Sequence, residues 1–178
     1  MSRRRILFLA KGAHDAATRH RSLAFFDLLR QGGWDMHKEV INKHADLFSQ
    51  LNESITAFWN QMVDLGLEND VILFTASDFG RTLTSNGLGS DHAWGGNHFV
   101  IGGGINGGRI YGQYPLLVTG GPNDVGRGRL LPTTSVDAYG AELASWFGAP
   151  SAELETIFPN CTNFFDPVST PFPLGMLG

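Results

Sequence analysis

Val71-Ile72-Leu73-Phe74-Thr75 is an unbroken apolar and β-branched run, and it follows a long amphipathic stretch with only a short turn between them. From Lys38 to Leu65 the residues Val40, Leu47, Leu51, Ile55, Phe58 and Met62 recur at helical steps, which predicts one long helix with a single buried stripe. His44 lies on that stripe and reads as a core histidine. Gly66 stops the helix, and Asn69-Asp70 turns the chain into the apolar run. A strand without polar alternation fills a sheet covered on both faces. A long helix leading into it is half of a βαβ crossover. The expected fold is therefore α/β, three-layered, with a mostly parallel sheet and helices on both faces.

The rest of the chain extends this frame as a single domain over residues 1–178. Ile6 to Ala10 and Ala24-Phe25-Phe26 with Leu28-Leu29 are alternatives for the first buried strand. Ser2-Arg3-Arg4 resembles an export signal, but the apolar run after it stops at Lys11-Gly12. That is too short for an export core or a membrane span. Asp78 to Asn97 is polar and glycine-rich and reads as a loop at the carboxyl end of the Val71–Thr75 strand, where open α/β sheets bind ligands. Phe99-Val100-Ile101 is a further strand, and Asn106-Gly107-Gly108 predicts a hairpin turn before Arg109-Ile110-Tyr111. Thr134 or Ser135 caps a helix ended by Gly148 and Pro150, a short helical turn follows at Leu154 to Ile157, and the tail from Pro167 is expected to be loose.

With a net charge of -4 and no basic patch interleaved with aromatics, the chain has no electrostatic case for nucleic acid. One cysteine, Cys161, supports neither an internal disulfide nor a thiolate metal clip. Chemistry falls instead to three clusters of Asp and His. In Gly32-Gly33-Trp34-Asp35-Met36-His37, an extended backbone would point Asp35 and His37 the same way, toward one ion, while Asp35 could equally cap the following helix. Asp78 follows the buried strand directly, with Arg81 as a planar donor fork for a substrate oxyanion. Asp91, His92 and His98 sit among glycines and offer oxygen and nitrogen ligands to a divalent cation. His98 just precedes the next strand, so its membership requires an antiparallel strand or a bend, and His92 is the safer ligand. His14 and His20 read as solvated.

These motifs, with Thr75-Ala76-Ser77-Asp78-Phe79-Gly80-Arg81-Thr82, Gly102 to Gly112 and Leu130 to Asp137, resemble the bacterial domain-of-unknown-function 1501 family, which is often labelled sulfatase-like. The resemblance runs from about Phe25 to Asn163, with residues 1–24 atypical. It implies an alkaline-phosphatase-like fold and a divalent metal ion, whether zinc, manganese, calcium or magnesium, held by Asp35, His37, Asp78 and either His92 or His98, with Asp91 as an extra acid that could replace a missing ligand. It also implies a small anionic ester as substrate and export by the twin-arginine route, for which this chain lacks a complete signal. The expected function is metal-dependent hydrolysis of phosphate or sulfate esters, or a remnant of it with weak or no turnover. The alternatives are a non-catalytic metal- or ligand-binding module and a structural partner subunit.

Two departures shape that expectation. Phe79 stands where the wider superfamily places a metal-binding His. The chain corresponds to the C-terminal, metal-site half of such a protein, so the catalytic nucleophile is unknown, although Thr75, Ser77, Thr82, Thr84 and Ser85 lie near the clusters in sequence. A half sheet leaves an exposed edge through which a homo-oligomer could form.

Overall fold

The computed structural model describes residues 6–10, 33–170 and 172–177. In chain order its elements are β1 (Ile6–Ala10), α1 (Val40–Asp64), β2 (Val71–Thr75), β3 (Gly80–Ser85), β4 (Ser90–Ala93), β5 (Val100–Gly102), α2 (Val136–Phe147) and α3 (Leu154–Ile157). The strands form one three-stranded sheet, ordered β1-β2-β5, and one two-stranded sheet, β3-β4. Ala24-Phe25-Phe26, Leu28-Leu29, His14 and His20 lie outside the described residues.

Every strand pairing among the described residues is antiparallel. Ile6 faces Thr75 across β1 and β2, and Ile72 faces Gly102 across β2 and β5. The expected three-layer, mostly parallel sheet is therefore wrong. The apolar run reports how β2 is covered, and it carries no information about strand direction. Val71 and Leu73 pack against Phe58 and Met62 of α1, while Ile72 and Phe74 pack against Leu143 of α2. Phe58, Ile72 and Leu73 are fully buried, and burial of each such side chain contributes about 1.5–3 kcal/mol. After β2 the chain makes no crossover to a parallel neighbour. It forms the β3-β4 hairpin and returns as β5 in the opposite direction.

That hairpin occupies the segment expected to be a loop. Asn86 Oδ1 accepts the N–H groups of Leu88 and Gly89, and Gly87 takes φ 94°, which closes the turn. Gly80, the first residue of β3, has no room for a side chain: a Cβ there would lie 1.7 Å from the Gly95 carbonyl oxygen. Gly89 likewise lets the hairpin tip approach the segment before α1, since its Cβ would meet the His37 carbonyl at 2.8 Å.

Downstream, Arg109-Ile110-Tyr111 is not a strand among the described residues, and Ile105 instead bridges Leu177. Helix α2 starts as its capping signals predict, with Ser135 Oγ accepting the Ala138 N–H, and ends on Gly148 at φ 108°. Glu142 on this helix is fully buried, and its carboxylate accepts the backbone N–H groups of Leu174, Gly175, Met176 and Leu177. The last part of the tail, expected to be loose, is thereby fastened to α2, with Met176 buried. No helix among the described residues is long and apolar enough to cross a membrane.

Candidate metal centre

Trp34 to His37 is neither strand nor helix, with the Met36 N–H turned back onto the Trp34 carbonyl at 3.1 Å, yet burial alternates along it. Trp34 and Met36 are buried, Trp34 with its ring 5.0 Å from Phe48 of α1. Asp35 and His37 are thereby turned outward together, toward the β3-β4 hairpin. Asp35 does not cap the helix, because α1 begins only at Val40, with Glu39 as the preceding residue.

On the hairpin, Arg81 and His92 are cross-strand partners, so their side chains leave the sheet side by side. Both reach one oxygen, Asp35 Oδ1: Arg81 Nη2 donates to it at 2.7 Å, and His92 Nε2 lies 2.9 Å away. His37 Nε2 lies 3.4 Å from the same oxygen and 3.2 Å from His92 Nε2. Asp35, His37 and His92 thus present one oxygen and two nitrogens at the corners of a small triangle, all within 4.8 Å of one another. Ligands tetrahedrally arranged at about 2.0–2.1 Å from a zinc-type ion stand about 3.3 Å apart. The triangle matches that spacing, so the donor set fits a divalent cation.

Asp91 stands behind this triangle. Its Oδ1 lies 3.4 Å from His37 Nδ1, on the far side of the ring from the cluster. With Nδ1 protonated toward Asp91, the lone pair of His37 sits on Nε2 and points at the triangle. Asn86 Nδ2 donates to Asp91 Oδ1 at 3.0 Å, and Arg127 Nη2 donates to Asp91 Oδ2 at 3.1 Å. Thr82 Oγ1 accepts the Asp91 N–H where the register of the hairpin shifts. Phe79 stacks on His92, with ring centroids 3.8 Å apart and planes at 9°. Phe79 therefore buttresses a ring of the triangle.

Two other expected ligands are elsewhere. Asp78 is exposed in the connection between β2 and β3, outside the triangle. His98 does precede an antiparallel strand, yet its Nδ1 lies 3.3 Å from Thr75 Oγ1 and its ring stacks on Tyr139 at 6.0 Å. Arg81, expected to bind substrate, has a side chain only 18% exposed and spends its donors on Asp35, Ser90 and Trp34. Asn86 and Arg127 were not anticipated. Gly126-Arg127-Gly128, in the second glycine-rich loop, is a signal that could have pointed to Arg127.

The five hydroxyls that the sequence places near the clusters, Thr75, Ser77, Thr82, Thr84 and Ser85, each make a hydrogen bond to the backbone. Thr75 Oγ1 accepts the Phe99 N–H, Ser77 donates to the Phe79 carbonyl, Thr82 to Thr84, and Thr84 to Arg127. Ser85 Oγ accepts the Gly87 N–H. Thr75 Oγ1 also lies 3.3 Å from His98 Nδ1, a contact with an imidazole outside the triangle.

The match to known proteins now has a geometry to meet. The family described as "Protein of unknown function (DUF1501)" matches residues 9–127, more than half of the chain and every residue of the triangle. The chain belongs to the DUF1501 family. The match starts ahead of Phe25, so the sequence resemblance was drawn too short at that end. No curated protein and no solved structure matches this DUF1501 chain.

The electrostatics set a pH dependence. The hydrogen bond from His92 holds the Asp35 carboxyl below its ordinary pKa of 3.8, with Arg81 adding to the effect and partial burial opposing it. A carboxyl whose folded pKa is depressed stabilises the fold above its unfolded pKa, and that contribution is lost as pH falls through the folded value. A carboxyl-carbon NMR titration of Asp35 is expected to show a midpoint below the ordinary range, moving up toward it in His92→Ala. An ordinary midpoint in the unaltered protein would contradict the hydrogen-bonded cluster.

Proposed function

We propose that this DUF1501 chain binds one divalent ion of the zinc type through Asp35, His37 and His92, and that the centre is of the ester-hydrolase kind. The observation that carries the reading is the triangle of one carboxylate oxygen and two imidazole nitrogens. Two imidazoles favour a borderline ion such as zinc or manganese over calcium or magnesium. Three protein ligands leave a coordination position open, as catalytic sites do. The side chains of Asp35, His37 and His92 are 34%, 47% and 45% exposed, which gives a small substrate access.

When bound, such an ion supplies Lewis-acid polarisation of an ester oxygen. The protein's own part is to position donors: Arg81 fixes the ligand oxygen of Asp35, Asp91 selects the His37 tautomer, and Phe79 sets the plane of His92. Formal charges favour an anionic guest. Asp35 and Asp91 are offset by Arg81 and Arg127, so the full charge of a divalent ion remains to be met by what binds to it. Ser77, Thr82 and Thr84 donate to backbone carbonyls, and the Thr75 hydroxyl that lies beside His98 is away from the triangle, which argues for weak turnover of generic esters.

Zinc titration against a chromophoric competitor, followed by assay on an aryl phosphate and an aryl sulfate, tests this reading. One zinc per chain with slow or undetectable hydrolysis is expected. Asp91→Asn is expected to weaken zinc about 10–100-fold, the usual cost of losing an orienting carboxylate, with the fold intact. Unaltered zinc affinity in that variant would remove Asp91 from the centre, and failure of the parent protein to take up any divalent ion would end the reading.

A further inference from the structure

Arg127 is unusual in its backbone and in its exposure. It has φ 61° between Gly126 at φ 103° and Gly128 at φ 69°, so a long side chain occupies a left-handed position that glycine takes at less cost. The surroundings hold it there. Asp124 accepts the N–H groups of Gly120, Gly126 and Gly128, and the Arg129 guanidinium donates to the carbonyls of Gly126 and Val125. From β3, the Leu83 N–H donates to the Gly128 carbonyl at 2.9 Å, and Thr84 Oγ1 to the Arg127 carbonyl at 2.6 Å. A Cβ on Gly128 would meet Leu83 at 2.7 Å, so the loop is seated tightly on the hairpin.

What this over-determined loop delivers is a guanidinium. Arg127 is 69% exposed and makes one side-chain hydrogen bond among the described residues, from Nη2 to Asp91 Oδ2. That bond orients the planar fork and leaves its other nitrogens open to solvent. Only the Asp91 carboxylate stands between the fork and His37, a corner of the Asp35–His37–His92 triangle. Arg81, by contrast, is enclosed and occupied.

We infer that Arg127 is the anion-receiving residue of this site, gripping a phosphate-type oxyanion with the free side of its guanidinium. The inference rests on the proposed metal centre for the role of that anion as substrate. Arg127 is a positioning residue: Asp91 aims it, and the strained glycine-flanked backbone fixes its origin. A planar fork suits a tetrahedral oxyanion better than an ammonium does, so lysine should replace it poorly.

The test is inorganic phosphate binding by calorimetry to the zinc-loaded chain of residues 1–178, with zinc affinity measured in parallel. Arg127→Gly removes the side chain while easing the left-handed backbone, so the fold is not put at risk. It is expected to weaken phosphate binding about tenfold or more, as loss of a charge-assisted hydrogen bond does, and to change zinc affinity by less than about threefold, an order-of-magnitude allowance for an indirect contact. Arg127→Lys should fall between. Unchanged phosphate affinity with zinc affinity about tenfold weaker would overturn the inference and make Arg127 a support for Asp91 alone. No phosphate binding by the parent protein at millimolar concentration would also overturn it. Phosphate binding that depends on Arg127 in a protein that takes up no zinc would sustain the inference and sink the metal reading instead.

Discussion

Glu142→Ala is expected to destabilise the protein by about 3–5 kcal/mol, the loss of charge-assisted hydrogen bonds less what the freed tail recovers from water. The carboxylate is fully buried, and both oxygens are used: Oε2 accepts from Leu174 and Gly175, and Oε1 from Met176 and Leu177. Those contacts hold Leu177 in the cluster formed by Ile72, Phe74 and Leu143. Removing the carboxylate therefore strands four donors and loosens one face of the central strand. Glu142→Gln keeps the shape but turns an amide N–H₂ toward two of the donors, so it should also destabilise, by a smaller amount. Denaturant unfolding measures the loss, and hydrogen exchange at Leu174 to Leu177 should quicken in both variants. Parent-like stability in Glu142→Ala would show that the tail contributes nothing to the fold.

The second large effect is expected at the triangle. His92→Ala should lower zinc affinity by more than about a hundredfold, beyond the range for an orienting residue, because a ligand itself is lost. It also removes the donor that depresses the Asp35 carboxyl and the ring on which Phe79 stacks. Asp78→Ala and His98→Ala are the matched controls: both residues lie outside the triangle and should leave zinc affinity within about threefold of the parent, less than the loss of an orienting carboxylate costs. A hundredfold loss in either control would return those residues to the ligand set.

Local signals in the sequence were readable wherever one element decided its own geometry. The stripe through Leu51, Phe58 and Met62 gave α1 nearly to its ends, and Ser135 with Gly148 gave both ends of α2. Strand direction was not readable, because β2 is covered by α1 and α2 whether its neighbours run parallel or antiparallel. The β3-β4 hairpin could have been found. Asn86-Gly87 is a turn signal between two short polar segments, but the glycines around it made the whole stretch look like a loop.

For the site, the i,i+2 spacing of Asp35 and His37 was informative because burial of Trp34 and Met36 forces the alternation. Asp78 follows β2 directly but lies outside the triangle, and it is Phe79, one residue on, that stacks on His92. The roles of Asp91 and Arg127 depend on contacts 54 and 36 residues apart in sequence. Spacing within one motif does not carry such contacts.

The most direct test of the central claim is zinc X-ray absorption on the loaded protein. The triangle predicts a first shell of nitrogen and oxygen at about 2.0–2.2 Å with the outer-shell scattering of two imidazoles, and loss of one imidazole in any residual zinc bound by His92→Ala. A spectrum without imidazole scattering, or one unchanged in His92→Ala, would contradict it.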